Sequence, residues 1–147
     1  MHRSTLRTLA VIAPFLLLTA CAGSKPTTKV KAQLITGTWT GPDNEKLTFA
    51  ADRTFTASNL GSENLAPQKC ADTPSDGGWA FYAPGKSQGT EFSDKSAASG
   101  SWIAVVFHGA AEDCRFDLAV VDKGKALCAT DDRDAPCSLD VKFTRSS

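Results

Sequence analysis

The stretch Ile35-Thr36-Gly37-Thr38-Trp39-Thr40 places an apolar residue or glycine at each odd position and threonine at each even one. A period of two is the signature of a strand with one buried face. Gly41-Pro42-Asp43-Asn44 follows as a cluster of turn formers. Leu47 and Phe49 then resume the alternation against Lys46, Thr48 and Ala50. Ala51-Asp52-Arg53-Thr54 reads as a tight hairpin turn, with Arg53 standing where glycine would cost least. Phe55 and Ala57 alternate with Thr54, Thr56 and Ser58. Residues 34–59 therefore predict a three-stranded antiparallel meander rich in threonine and aromatics.

Downstream the same grammar continues. Residues 60–76 break the pattern with Pro67, Cys70 and Pro74 and read as a long loop. Gly78 to Tyr82 is a fourth strand, stopped by Pro84-Gly85, and 86–99 is a second polar loop. Trp102 to Phe107 is the longest apolar run of this part and predicts a strand covered on both faces. Arg115 to Val121 puts Phe116, Leu118 and Val120 on one face. Asp122-Lys123-Gly124-Lys125 is a turn with glycine where positive φ is needed. Ala126–Thr130 and Leu139–Arg145 make the last pair, and no stretch carries a helical period. The expectation is an all-β domain over 34–147, a single antiparallel meander of about eight strands, closed or partly closed as a barrel.

All three tryptophans share one context: Gly37-Thr38-Trp39, Gly77-Gly78-Trp79 and Gly100-Ser101-Trp102. Glycine two residues before Trp lies on the same face and leaves room for an indole over the backbone. Trp39 is placed to plug one end of a curling sheet. Such a motif on the first strand of an eight-strand meander resembles the lipocalin and avidin group of β-barrels. That resemblance implies an Arg near the last strand packed over the Trp, and Arg145 is its counterpart. Trp39, Trp79, Trp102 and Arg145 are thus the candidate plug or ligand-lining residues. The chain is also similar to small actinobacterial lipoproteins of uncharacterised function. These share a Gly-Thr-Trp strand, an Ala-Asp-x-Thr-Phe hairpin (Ala51 to Phe55), and an ending matched by Leu127, Cys128, Asp132, Asp134, Cys137, Phe143 and Arg145.

Upstream, His2, Arg3 and Arg7 precede the apolar run Leu9 to Leu18, which ends in Leu18-Thr19-Ala20-Cys21. A charged segment, a short apolar segment and small residues before a cut describe a secretory signal, here 1–20. The run is shorter than the ~20 residues of a membrane span. Leu-Thr-Ala-Cys resembles a bacterial lipobox. The resemblance implies a diacylglyceryl group on Cys21, which becomes the first residue, and a place on the extracytoplasmic face of the cell membrane. Residues 21–33 then form the lipidated cysteine and a flexible tether, small, polar and basic. About eleven residues reach at most roughly 35–40 Å.

Loss of Arg3 and Arg7 with the signal leaves 14 of the 16 basic residues against all 16 acidic ones. That near-neutral balance speaks against nucleic acid and against a polybasic membrane patch. Besides Cys21 the chain holds Cys70, Cys114, Cys128 and Cys137. An exported chain keeps disulfides, and four cysteines allow three pairings. Free thiols or a metal are the alternative, but no Cys-x-x-Cys is present and His108 is the single histidine after the signal. The expected map is Cys128 with Cys137 across a hairpin neck, and Cys70 with Cys114 by elimination. Pairing within the ladder would turn Leu127 away from Leu139, Val141 and Phe143; a bulge or a disulfide at the rim removes the conflict.

Catalytic constellations are sparse. His108 lacks a nucleophile in sequence context, no Gly-x-Ser-x-Gly or phosphate loop occurs, and Glu112-Asp113 and Asp131-Asp132-Arg133-Asp134 read as solvated turns. The second acidic run lacks the glycine and closing glutamate of a calcium loop. The expected function is therefore a non-enzymatic binding or envelope-structural module, a monomer without metal or cofactor. A lipocalin-like carrier of a small apolar ligand is the alternative, and a hydrolase the third.

Overall fold

Eight antiparallel strands close on themselves into a barrel. The computed structural model describes residues 26–60, 65, 75–84, 91–108 and 115–146. Its strands are β1 (Val30–Lys31), β2 (Gly37–Thr40), β3 (Lys46–Phe49), β4 (Thr54–Ser58), β5 (Asp76–Pro84), β6 (Glu91–Asp94), β7 (Ser99–Gly100), β8 (Trp102–Phe107), β9 (Arg115–Val121), β10 (Ala126–Thr130) and β11 (Lys142–Arg145). The wall runs β2-β3-β4-β5-β8-β9-β10-β11, and β11 pairs with β2 to close it. β6 extends the wall beside β5 where β4 stops, with Phe81 opposite Asp94 and Pro84 opposite Glu91. Two short 3₁₀ turns, Ala32–Leu34 and Asp122–Gly124, are the helical elements among the described residues. The three-stranded start and the all-β class match the alternation in the sequence, and of the two expected forms, closed or partly closed, the sheet takes the closed one.

Closure sorts the alternating side chains into two sets. Every other side chain of a barrel strand points inward. Leu47 and Phe49, Trp79 and Phe81, Ile103 and Val105, Leu118 and Val120 and Leu127 and Phe143 all do so, and together they form one core. The opposite parity gives a second, smaller cluster outside the wall: Ala119, Val121, Ala126 and Cys128, with Trp102 and Cys137 packed against it.

Three differences from the sequence reading have physical causes. The flexible tether assigned to 21–33 ends sooner, because residues 28–33 pack on the barrel. Thr28 N–H donates to Val120 O at 2.7 Å, Val30 and Lys31 pair with Gly100 and Ser99, and Ala32 N–H donates to Ala98 O at 2.9 Å. Val30, one apolar side chain among lysines, is 7% exposed and supplies the reason. The 86–99 segment is likewise not wholly loop, since it contributes β6 and β7. The last strand begins at Lys142 rather than Leu139, because Cys137 and Asp140 sit at φ 72° and 54°, outside strand geometry.

The two ends of the barrel differ. At one end, here the floor, lie the β3–β4 and β9–β10 turns, the β5–β8 connection, the strap 26–36 and the chain's last residues. At the other, the rim, lie the β2–β3 and β10–β11 connections and the described strand ends that flank the β4–β5 and β8–β9 connections.

Candidate functional site

The floor is built around Trp39. Its indole is 1% exposed, and Nε1 donates to Ile35 O at 2.8 Å, which ties the strap to β2. Arg145 covers the ring, with Cζ 5.1 Å from the centroid. Its Nη2 donates to Leu34 O at 2.5 Å and Thr36 O at 3.0 Å, so one guanidinium holds both the ring and the strap. Gly37 sits at φ +116°, a conformation that favours glycine, and the Arg145 guanidinium lies beside it, 3.5 Å from where a Cβ would stand, an ordinary contact distance. Trp39 and Arg145, expected to meet, do so.

A second arginine does the same on the opposite wall. Trp79 Nε1 donates to Ala50 O at 3.1 Å, and Arg53 Cζ stands 4.2 Å above that ring. Arg53 has φ 72°, the conformation a glycine would adopt at least cost. The side chain offsets that cost by stacking on Trp79 and donating from Nη2 to Ala97 O at 2.6 Å. Burial pulls its pKa below the usual arginine value, against the opposing pull of Asp94. Its position in a turn hid this role in the sequence.

From Trp79 a row of aromatic rings runs through the interior. Phe116, Phe107, Phe55, Phe49, Trp79 and Phe81 form an unbroken series of contacts, with centroids 5.2 to 6.1 Å apart. The glycine before Trp79 admits Phe55 and the backbone at Phe107; the glycine before Trp102 admits Phe81. The space that the Gly-x-Trp motif leaves is thus taken by phenylalanine or arginine rather than by a second indole. Trp102 is half-buried and packs outside the wall, in the cluster with Ala119 and Cys128. It neither plugs the barrel nor lines its interior, because β8 turns Ile103, Val105 and Phe107 inward instead. Val106, on the outer parity, is 43% exposed, so that strand is covered on both faces only in part.

On the outer wall Cys128 and Cys137 form a disulfide with Cα atoms 4.8 Å apart. It lies outside the ladder: Cys128 pairs with Lys142, and Leu127 with Phe143, so the core register is intact. The β10–β11 connection folds back over the wall to reach it. Thr130 is fully buried and pins that fold, with Oγ1 2.6 Å from Asp132 O, 2.9 Å from Ala135 O and 2.7 Å from Ser138 Oγ. Asp131 Oδ1 accepts from Ser138 Oγ at 2.6 Å, and Asp132 Oδ1 from Asp134 N–H at 2.9 Å. These carboxylates organise their own turn, and no group of three or more potential metal ligands occurs among the described residues.

Beside that turn, Tyr82 O–H donates to Asp117 Oδ1 at 2.9 Å across β8, and Arg133 Cζ lies 4.3 Å from the phenol ring. Burial, reinforced by the Asp117 charge, pushes the phenol up to about 12. Burial also raises Asp117, against the Tyr82 hydrogen bond and the two nearby arginines, Arg133 and Arg115. At the rim His108 Nδ1 stands 3.1 Å from Asp76 Oδ2, both well exposed. A hydrolytic dyad needs a nucleophile at the other ring nitrogen, and none is bonded there among the described residues. Glu45, fully buried in the β2–β3 turn, accepts from Asp43 N–H at 2.8 Å through Oε2, while Oε1 has no partner. Cys21, Cys70, Cys114, Glu112 and Asp113 lie outside the described residues. The chain matches no family model, no curated protein and no solved structure.

Proposed function

We propose that the protein is a lipid-anchored extracytoplasmic barrel that acts as a non-enzymatic binding or envelope-structural module through its surface. The observation that carries this reading is the aromatic core: six rings in mutual contact, with Trp79, Phe55 and Phe81 at 0–1% exposure. A carrier needs a cavity bordered by its aromatics, whereas these aromatics pack on one another, which supports the module reading. The Leu18-Thr19-Ala20-Cys21 stretch supports the anchor. The floor of Trp39 and Arg145, similar to that of lipocalins, favours the second reading, a carrier of a small apolar ligand.

Native mass spectrometry of the chain from residue 21, with Cys21→Ser, separates the two. The module reading expects the mass of the polypeptide alone; a bound small molecule surviving purification would establish the carrier. The anchor is tested in cells by metabolic acyl labelling. Cys21→Ser is expected to lose both label and membrane association, and persistence of both would remove the anchor.

A further inference from the structure

The barrel is electrically lopsided along its axis, and its basic end is the end the tether enters. A Cβ at Gly124 would fall 2.9 Å from Val30 Cγ1, so the strap and the β9–β10 turn touch there. Lys29 and Lys31 flank one partner in that contact, and Lys123 and Lys125 flank the other; all four side chains are exposed. Arg145, also exposed, adds a fifth cation to the same end. The acidic neighbour in the turn, Asp122, pairs with Lys142 on the wall; the other described carboxylates of this end, Asp52 and Asp94, stand with Arg53 and Lys95, so the floor stays net positive. Leu34, exposed in the strap's 3₁₀ turn, is 56% accessible and the more exposed of the two large apolar side chains that stand out among the described residues. Among the described residues the rim carries the opposite charge: Asp43, Asp76, Asp131, Asp132, Asp134 and Asp140, against Lys46, Arg115 and Arg133.

We infer that the floor is a docking surface for an anionic lipid bilayer, so that the barrel stands on the membrane with its rim pointing away. The lysines around the Val30–Gly124 contact meet the headgroups, and Leu34 enters the interface. Basic side chains near an anionic surface attract it within about a Debye length, ~8 Å at physiological salt. An exposed apolar side chain among cations is the composition of an interfacial contact. Chain length agrees. Thr28 is already bonded to Val120, so the seven residues from Cys21 to Thr28 span at most about 25 Å. The floor is held that close to any lipid on Cys21. The docking itself does not need the lipid; only the statement that the rim points away from the cell rests on the anchoring proposed above.

The test uses the unacylated chain from residue 21 with Cys21→Ser, sedimented with vesicles of phosphatidylcholine alone or doped with phosphatidylglycerol. Binding is expected to the doped vesicles only, and to weaken with salt. Two variants of equal net charge locate the surface. Lys29→Gln with Lys125→Gln is expected to weaken binding on the order of twenty-fold, each lysine being worth roughly fivefold. Lys46→Gln with Arg115→Gln, at the rim, is expected to leave binding within about twofold, because those charges face away by more than a Debye length. Unchanged urea midpoints confirm that both pairs fold. Equal binding to both vesicle types, equal losses from the two pairs, or retention on soluble polyphosphate without vesicle binding would each overturn the inference. Because the assay uses no acyl chain, it can fail while acyl labelling of Cys21 succeeds, and the reverse.

Discussion

Trp39 is held by three partners at once: the core around it, Ile35 O at Nε1, and Arg145 above the ring. Removing a buried indole leaves a cavity as well as losing transfer energy. Trp39→Ala is therefore expected to lower unfolding stability by ~3–5 kcal/mol, read from urea unfolding of the lipid-free chain. A midpoint equal to the parent's would take Trp39 out of the core. Tyr82 offers a second measurement, because the chain contains a single tyrosine and its phenolate absorbance reports that group alone. The titration midpoint is expected about 12, displaced upward by burial and Asp117. The unfolded phenol ionises near ~10. The folded value is the higher one, so the phenol's contribution to stability is whole below pH ~10 and is lost as pH rises through about 12. Tyr82→Phe is expected to flatten the fall of stability in that window, seen as a smaller change in urea midpoint between the two pH values. Asp117 has the same sign at the acid end. Its raised carboxyl favours the folded state below the ordinary carboxylate range and loses that contribution as pH rises through its own value.

At the scale of elements, the β10–β11 connection shows how a polar loop is held without a core of its own. Thr130 and Ser138 satisfy its inner backbone and carboxylate groups, and Cys128–Cys137 fastens it to the outer wall. The cysteines are nine residues apart, so the entropic stabilisation of the closed loop is modest. Cys128→Ser with Cys137→Ser is expected to cost ~2–3 kcal/mol in the chain model while leaving the far-ultraviolet β signal unchanged, since the ladder bonds do not pass through the disulfide. Loss of that signal would mean the loop helps form the wall. The connections that contain Cys70 and Cys114 leave from neighbouring strands at the rim, Gly77 opposite Phe107 and Val106 opposite Arg115. Non-reducing peptide mapping is expected to return Cys70 with Cys114, and a peptide joining either to Cys128 or Cys137 would refute that pairing.

For the whole molecule, the N-terminal strap is the element that turns an open-ended barrel into a closed floor. Val30 and Ile35 are both buried in the main core, and β1 adds backbone bonds to β7. A chain cut to begin at Leu34 loses Val30 and the strap's contacts with Ala98 and Val120. Burying a valine contributes ~1.5–3 kcal/mol. The truncated chain is expected to melt at lower urea than one beginning at Cys21, by at least about 2 kcal/mol; equal stability would return residues 28–33 to the tether. The strap also brings two lysines, Lys29 and Lys31, to the floor beside the β9–β10 turn.

Alternation from Ile35 onward determined the all-β class, the inward faces of β2 to β4 and the turn at Arg53, because period two and turn chemistry are local properties. Gly37, Trp39 and Arg145 were legible as a group through their resemblance to a known barrel floor. The side of the wall on which Trp102 stands was not legible. Its strand is apolar on both parities, and only pairing with β5 and β9 selects Ile103, Val105 and Phe107 as the inner set. The strap was hidden because one valine among lysines has no period; its burial exists only once Gly124 and Gly100 stand beneath it. Net charge likewise concealed the axial separation. A sum over the chain is blind to position, and positions 29, 31, 123 and 125 become one surface only when the strap crosses the β9–β10 turn. Local pattern specified the strands, and long-range contact specified which residues share a face, a floor and a charge.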